Sequence, residues 1–273
     1  MSKDARYYWH PTELRFVPSG TSVLPRPYLA QWASNCAVDY IDEHVFAPHG
    51  DLAVFTLETD KAARNAFHDV SKQAAGYGTF IHHLCEEALS KNNWIVPKTW
   101  TVPDDNPWKL EHDMDLTTSF MDGLRKWKEK HKVEVIAMEH VVFGHGYAGR
   151  LDLVCLLDGV VTLVDFKTGK GSYYETWKYQ LALYRAAFND MISVDAGGTI
   201  QDFKDAEIQS SAILKFNKKT GKVNYKSFDS YQTTRTNPKT KEKEKYTRTY
   251  VEDLNAGMLC VKLWWARERG MEL

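Results

Sequence analysis

The spacing of apolar residues divides the chain into a helical first part and a strand-rich second part. Helical spacing recurs in four segments, which are 27–45, about 60–75, 79–90 and about 113–131. Gly76 and Gly78 are expected to separate the second of these helices from the third. Residues 1–27 and the proline-containing segment 91–108 follow neither period, and we expect irregular chain there.

From Lys132 onward the apolar residues follow strand spacing. Three consecutive strands are predicted at 132–144, 148–159 and 160–169, and Asp158-Gly159 suits a hairpin turn between the last two. The pattern ends with a helix at 175–190, a strand–turn–strand at 210–228 and a helix at 251–269. Together these elements predict an α/β protein with a small, curved, mixed sheet flanked by helices.

Neither a repeat nor a linker divides the 273 residues, so we expect a single domain. It comprises a helical N-terminal part at 28–131, a catalytic sheet core at 132–190, and a basic strand–turn–strand with a C-terminal helix at 208–270. The chain has no apolar run of membrane-spanning length, and its first residues lack the hydrophobic core of a secretory signal. We therefore expect a cytoplasmic protein without a membrane partner. Its four cysteines are widely spaced and favour reduced thiols over the alternative of a zinc or iron–sulfur site.

The net charge of −1 does not itself indicate a nucleic-acid partner, but the charge is unevenly distributed. Eleven basic and three acidic residues between Lys215 and Arg248 give this segment, the basic block, a charge of +8, so the rest of the chain carries −9. Such a block can bind phosphates, and the candidate substrate contacts in it include Lys218, Lys219, Lys241 and Lys243. We expect residues 236–248 to form a mobile loop. The alternative to phosphate binding is a solvated hairpin with a mobile, lysine-rich tip.

An acid and a base lie side by side at the end of the third predicted strand. Asp165 and Lys167 are two residues apart, so their side chains share one face of the strand. The hairpin places Asp152 beside Asp165, and two adjacent carboxylates repel unless a cation lies between them. A Mg²⁺ or Mn²⁺ site facing Lys167 is therefore predicted, the alternative being an ordinary surface Asp–Lys pair.

Two helices supply further candidates. His82 lies at the border of its apolar stripe, where it can reach a cleft, whereas His83 falls on the solvent side. The alternative for His82 is a hydrogen-bonded histidine at the core edge. Gln180 and Tyr184 share one face of the helix after the third strand, and Gln180 is placed to orient Lys167 or to contact a phosphate.

These residues fall into five short motifs along the chain. They are Gly-Thr-x-x-His ending at His82, an acid at Glu139, Gly-Arg-x-Asp at 149–152, Asp-x-Lys-Thr-Gly at 165–169 and Gln-x-x-x-Tyr at 180–184. Their order resembles the PD-(D/E)xK nuclease superfamily and, more narrowly, its RecB/Cas4-type exonuclease branch, which includes phage-type members. The resemblance covers residues 76–188 and, less specifically, 19–33. It implies a restriction-endonuclease-like core.

The resemblance also implies a role for each residue. The metal ligands would be His82, Asp152, Asp165 and the backbone carbonyl of Phe166. Lys167 would position or activate water, and Glu139 would bind a second metal or a ligand water, with Glu134 as its rival. Gln180, Tyr184 and Arg150 would support the site and the DNA backbone. Only Cys36 and Cys260 are candidates for the cysteines of cluster-bearing members, so no iron–sulfur cluster is expected.

The activity implied is metal-dependent hydrolysis of DNA by an exonuclease that acts at single- or double-stranded ends in recombination, repair or replication. A phage-encoded member would work in the host cytoplasm, with a single-strand-binding or recombination protein as a further partner. The alternatives are a structure-specific endonuclease for flaps or branches and a non-catalytic DNA-binding module. Chelation of metal would leave a binding module unaffected.

Overall fold

The computed structural model describes residues 5–25, 30–46, 56–103, 107–169, 173–193, 206–237 and 239–268. The strands are β1 Tyr7–His10, β2 Arg15–Pro18, β3 Trp100–Val102, β4 Trp108–Leu110, β5 Val133–Gly144, β6 Tyr147–Leu157, β7 Val160–Gly169, β8 Ser210–Asn217, β9 Val223–Ser227, β10 Ser230–Thr236 and β11 Lys243–Thr249. The helices are α1 Gly20–Val23, α2 Ala30–Ile41, α3 Leu57–Ser90, α4 Met114–Lys130, α5 Glu175–Ser193 and α6 Tyr250–Glu268. A π-helical turn, Asp42–Phe46, follows α2.

The described residues form two compact units. The first lies within Met1–Pro25, Leu84–Val96 and Asp115–Leu273, and the second within Arg26–His83 and Pro97–Met114. Their boundary falls inside α3, which is a single uninterrupted helix. The single domain expected from the sequence stays a prediction.

The first unit contains a five-stranded sheet with the order β5-β6-β7-β8-β9. Strands β7 and β8 run parallel and the other neighbours antiparallel, so the mixed sheet and the α/β class predicted from the sequence are confirmed. The hairpin turn between β6 and β7 is also confirmed, because Asp158 and Gly159 have φ values of 51° and 88°. Two successive left-handed residues match the right-handed twist of the paired strands.

Helices flank both faces of this sheet. Alternation along β7 places Phe166 on one face and both Asp165 and Lys167 on the other. On the Phe166 face, α4 packs through Phe120, whose ring centroid lies 5.5 Å from that of Phe216 on β8. On the Asp165 face, α5 adds apolar side chains to a hydrophobic core cluster, among them Leu181, Leu183, Ala187 and Phe188.

Helix α3 corrects the predicted break at Gly76 and Gly78, because residues 57–90 form one helix. A Cβ atom at Gly76 would lie 2.7 Å from the ring of Trp108, closer than packed atoms approach. Glycine therefore serves the close approach of Trp108 inside the second unit and does not mark a turn. Here a tertiary contact outweighs the low helix propensity of glycine.

Three pairs of strands were missed in segments expected to be irregular. Strands β1 and β2 pair within residues 1–27, and β3, inside the predicted loop 91–108, pairs with β4. Strands β10 and β11 form a two-stranded ribbon, so the mobile loop expected at 236–248 is wrong from Lys243 onward. None of the helices in the described ranges is long and apolar enough to cross a membrane.

Candidate active site

The candidate site lies where β6 and β7 separate. Their ladder runs from the turn to the pair Leu153–Val164, whereas β7 remains paired with β8 as far as Gly169. Beyond the fork, the backbone N–H of Phe166 donates a hydrogen bond of 2.6 Å to Oδ2 of Asp152. A carboxylate thus replaces the strand carbonyl as acceptor, which fixes Asp152 beside the end of β7.

Asp165 and Lys167 form an ion pair on the α5 side of the sheet, with 2.7 Å between Nζ and Oδ2. Gln180 of α5 bridges the pair, because its Nε2 donates to Oδ1 of Asp165 at 3.0 Å and its Oε1 accepts from Nζ of Lys167 at 3.2 Å. Asp165 is 3% exposed and Gln180 is also buried. Gln180 was expected either to orient Lys167 or to contact a phosphate. Its hydrogen bond to Lys167 is the contact needed for orienting the lysine.

Asp152 is also part of a second group of polar side chains. One nitrogen of His82 and one oxygen each of Glu139 and Asp152 all lie within 4.8 Å of one another. Cys85, in the first unit, has a thiol pKa that is raised well above its usual range by burial and then by the charges of Asp152 and Glu139. His82 lies one turn before Cys85 on the same face of the uninterrupted α3.

This donor set fits a divalent cation. Carboxylate oxygens are the ligands that Mg²⁺ and Mn²⁺ prefer, and the imidazole nitrogen of His82 is a softer ligand that Mn²⁺ accepts more readily. Asp165 is held nearby by Lys167 and Gln180. The structure therefore brings together side chains suited to bind a metal and an ammonium group suited to act on a phosphate.

Glu139 has an unusual backbone conformation. Its φ of 47° is left-handed, which costs a non-glycine residue on the order of 1–3 kcal/mol. The residues on either side of Glu139 pair with the two residues that flank Asp152, so the two carboxylates face each other across β5 and β6. Arg150 forms an ion pair of 2.9 Å with Glu139 and remains exposed to solvent, whereas the rival Glu134 is exposed and lies outside the group.

Tyr184 is buried behind the carboxylates. Its pKa is raised by burial and next by the charge of Asp165. A Cβ atom at Gly149 would overlap the Tyr184 ring, and one at Gly20 would lie 2.9 Å from it. The glycine of the Gly-Arg-x-Asp motif therefore allows Tyr184 to pack directly on β6, which ties the Gln-x-x-x-Tyr motif to Asp152.

The other predicted residues have different surroundings. His83 was expected on the solvent side, but it is half-buried and its ring stacks on Trp100 at 5.9 Å within the second unit. Lys219 is exposed and Lys218 half-buried near the β8–β9 turn, and Lys241 and Lys243 are exposed at the β10–β11 end. A metal contact from the carbonyl of Phe166 stays a prediction.

Two side chains next to Lys167 were not predicted as residues of the site. Lys215 pairs in register with Lys167 across parallel strands, is 5% exposed, and has a pKa lowered by burial. Trp177 of α5 lies with its ring centroid 5.9 Å from Nζ of Lys167. The sequence carries a signal for each of these residues. Lys215 is a lysine inside the apolar run of β8, and Trp177 lies one helical turn before Gln180.

Comparison with known proteins identifies one family. Residues 53–265, more than half of the chain, match the PD-(D/E)XK nuclease superfamily. This range includes every residue of the candidate site described above except Gly20. A search of curated proteins found no match.

Proposed function

Because the chain belongs to the PD-(D/E)XK nuclease superfamily, we propose that it is a divalent-metal-dependent deoxyribonuclease that acts as an exonuclease at DNA ends. Its five-stranded mixed sheet, flanked by helices, is consistent with the restriction-endonuclease-like core of this superfamily. The observation that carries the proposal is the pair of adjoining groups at the β6–β7 fork. One is His82 with two carboxylates, and the other is Lys167 held by Asp165 and Gln180.

In this proposal the two groups divide the work. His82, Asp152 and Glu139 hold the cation, with Asp165 and the carbonyl of Phe166 beside them. When bound, the cation supplies charge stabilisation at a phosphoryl oxygen and lowers the pKa of water. Lys167, whose ammonium is held by Gln180, positions the attacking water or stabilises negative charge on the phosphate.

The choice of an exonuclease rests on motif order. The sequence of five motifs from Gly-Thr-x-x-His to Gln-x-x-x-Tyr resembles the RecB/Cas4-type branch, and phage-type membership is part of the same proposal. The Arg150 guanidinium and the exposed lysines of the basic block supply cations for the DNA backbone.

Digestion of end-labelled DNA tests the proposal. Single and double strands labelled at either the 5′ or the 3′ end are incubated with Mg²⁺ or Mn²⁺, with and without excess chelator. We expect the label to be released as short products from one end, and chelation to stop the reaction. Internal fragments at a flap or branch would indicate the endonuclease, and an absence of cleavage with every ion and substrate would refute the nuclease.

The adjacent histidines of α3 offer a matched pair of variants. His82→Phe and His83→Phe each keep a ring and lose the ring nitrogens. We expect His82→Phe to weaken divalent-ion binding in calorimetry and to reduce cleavage severely, because it removes a ligand of the group. His83→Phe should retain both, since its ring packs on Trp100. The reverse order would show that the cation site does not include His82.

A further inference from the structure

A row of aromatic side chains adjoins Lys167 on the α5 side of the sheet. Trp177 lies beside the Lys167 ammonium and meets Tyr174 edge to face, with 5.0 Å between ring centroids. Tyr173 meets the same tryptophan edge to face at 6.2 Å. We call Tyr173, Tyr174 and Trp177 the aromatic shelf. Tyr174 is 43% exposed, which an aromatic residue serving only the core would not be.

Lysines accompany this shelf. The ammonium groups of Lys215 and Lys226 each lie 5.1 Å from the centroid of the Tyr173 ring. Lys215 pairs in register with Lys167, and Lys226 pairs with the residue two positions before Lys215, so all three side chains lie on one face of the sheet. The Lys167 ammonium therefore adjoins Trp177, and Lys215 and Lys226 adjoin Tyr173, so cations flank the row of rings.

We propose that the aromatic shelf stacks the unpaired bases of a DNA end while its phosphates lie along Lys167 and the exposed Lys226. The substrate of the site is then a single strand or an unpaired end. This inference rests on the proposed nuclease function and adds the class of substrate to it. A positively charged groove with aromatic rings is the usual arrangement for single strands, because every base has a face that can stack on a ring.

A paired end fits the same surface less well. In a duplex the faces of each base are covered by neighbouring base pairs, so protein side chains reach the base edges and the phosphates instead. Rings placed directly beside the proposed catalytic lysine can stack on a base next to the scissile phosphate once that base is unpaired. The shelf therefore distinguishes single strands from duplexes by stacking, and the lysines alone would not.

Binding to strands with and without bases tests this inference. The full chain is titrated, in the presence of chelator to prevent cleavage, with a short oligothymidylate and with a strand of equal length whose sugar-phosphate backbone carries no bases. Both strands present the same number of phosphates. We expect removal of the bases to weaken binding by roughly 5- to 150-fold, the range for loss of one stacked base. Equal affinity for the two strands would overturn the proposal.

Variants of Tyr174 assign the effect to the shelf. Tyr174→Leu should bind the two strands with nearly equal affinity, whereas Tyr174→Phe keeps the ring and should behave as wild type. Phe16→Leu is the matched control, because Phe16 is an exposed aromatic residue that packs on Trp9. Circular dichroism checks that each variant is folded. A folded Tyr174→Leu variant that still prefers the strand with bases would also overturn the proposal.

The two proposals fail in different ways. Cleavage of end-labelled DNA in the presence of divalent ions, without any preference for strands that carry bases, would reject the shelf and retain the nuclease. A preference for bases without cleavage of any substrate would retain the shelf and reject the nuclease, leaving a single-strand-binding module.

Discussion

Gln180 determines the geometry of the Asp165–Lys167 pair. The Gln180 amide donates a hydrogen bond to Asp165 and accepts one from Lys167. Neither Asp165 nor Lys167 can therefore rotate without losing a hydrogen bond. The Asp165–Lys167 pair is nearly buried. Removing the Gln180 amide is therefore costly, because the carboxylate and the ammonium would each lose a hydrogen bond that water could not readily replace. Gln180 thus sets the position of the lysine through these two hydrogen bonds.

We predict that Gln180→Leu lowers kcat severely and leaves divalent-ion affinity nearly unchanged. The substitution keeps the volume but removes both hydrogen bonds, and it should lower the free energy of unfolding by about 1–3 kcal/mol. Asn189→Leu on the same helix is the control, because the Asn189 side chain hydrogen-bonds the backbone of Ile208, away from Lys167. Asn189→Leu should lose a similar amount of stability but keep its kcat. If both variants lowered kcat equally, the role of Gln180 would be only structural.

At this scale the strand period predicts part of the site. The two-residue spacing was sufficient to place Asp165 and Lys167 on one face of β7. The predicted hairpin was sufficient to bring Asp152 beside them. It was not sufficient to choose between Glu134 and Glu139. A register shift between Val135 and Ala137 and the left-handed φ of Glu139 interrupt regular alternation along β5, and neither irregularity follows from the apolar pattern.

At the scale of elements, α3 shows how packing outweighs propensity. Glycine in a helix costs about 1 kcal/mol relative to alanine, which is why Gly76 and Gly78 predicted a break. The ring of Trp108 lies so close to Gly76 that a side chain there would overlap it. The sequence carries the glycine but not the distant tryptophan contact that requires it, so the break was predicted and the long helix was missed.

We predict that Gly76→Ala destabilises the protein although it improves helix propensity. Overpacking against Trp108 costs about 1–3 kcal/mol and exceeds the gain in propensity of about 1 kcal/mol. In the background of Trp108→Leu, which removes the indole ring, the same change should become neutral or stabilising. Urea unfolding of the four proteins measures both effects, and stabilisation by Gly76→Ala in the wild-type background would contradict the packing argument.

The missed ribbon has a different explanation. Strands β10 and β11 are rich in Thr, Lys and Glu. Exposed residues alternate along them with half-buried ones, which include Tyr231, Tyr246 and Arg248. Arg248 forms an ion pair of 2.6 Å with Asp253 of α6, and the hydroxyl of Tyr231 donates to the same carboxylate. The ribbon is thus attached by buried polar contacts, which an apolar period cannot reveal.

At the scale of the whole molecule, charge separates the basic block from the remainder of the chain. The block has a charge of +8, although the net charge of the whole chain is −1. Many of its lysines lie on the β10–β11 ribbon and at the β8–β9 turn. Alternation along β11 leaves Lys243 and Lys245 exposed, while Arg248 is turned toward α6. An anchored ribbon with an exposed basic side presents its lysines in a fixed array, which the mobile loop expected from the sequence would not.

A control variant separates this array from net charge. Both variants replace four exposed lysines with glutamine, so both change the net charge equally. The first replaces Lys239, Lys241, Lys243 and Lys245 of the basic block. The second replaces Lys61, Lys98, Lys109 and Lys262, which lie outside it. Any difference between the two variants then reflects where the lysines lie.

We predict that the block variant binds DNA more weakly whatever the base sequence, because lysines contact phosphates without the geometry that reads bases. The dependence of log affinity on log salt should flatten by up to about 0.7–0.9 for each phosphate that is no longer neutralised, since fewer counterions are released on binding. The maximum rate on saturating DNA should change little, because Lys167 and the carboxylates are retained. Affinity at several salt concentrations measures the slope for wild type and both variants. If the block variant kept the wild-type slope, or if the control variant flattened it equally, the ribbon would be a solvated hairpin without a role in holding DNA.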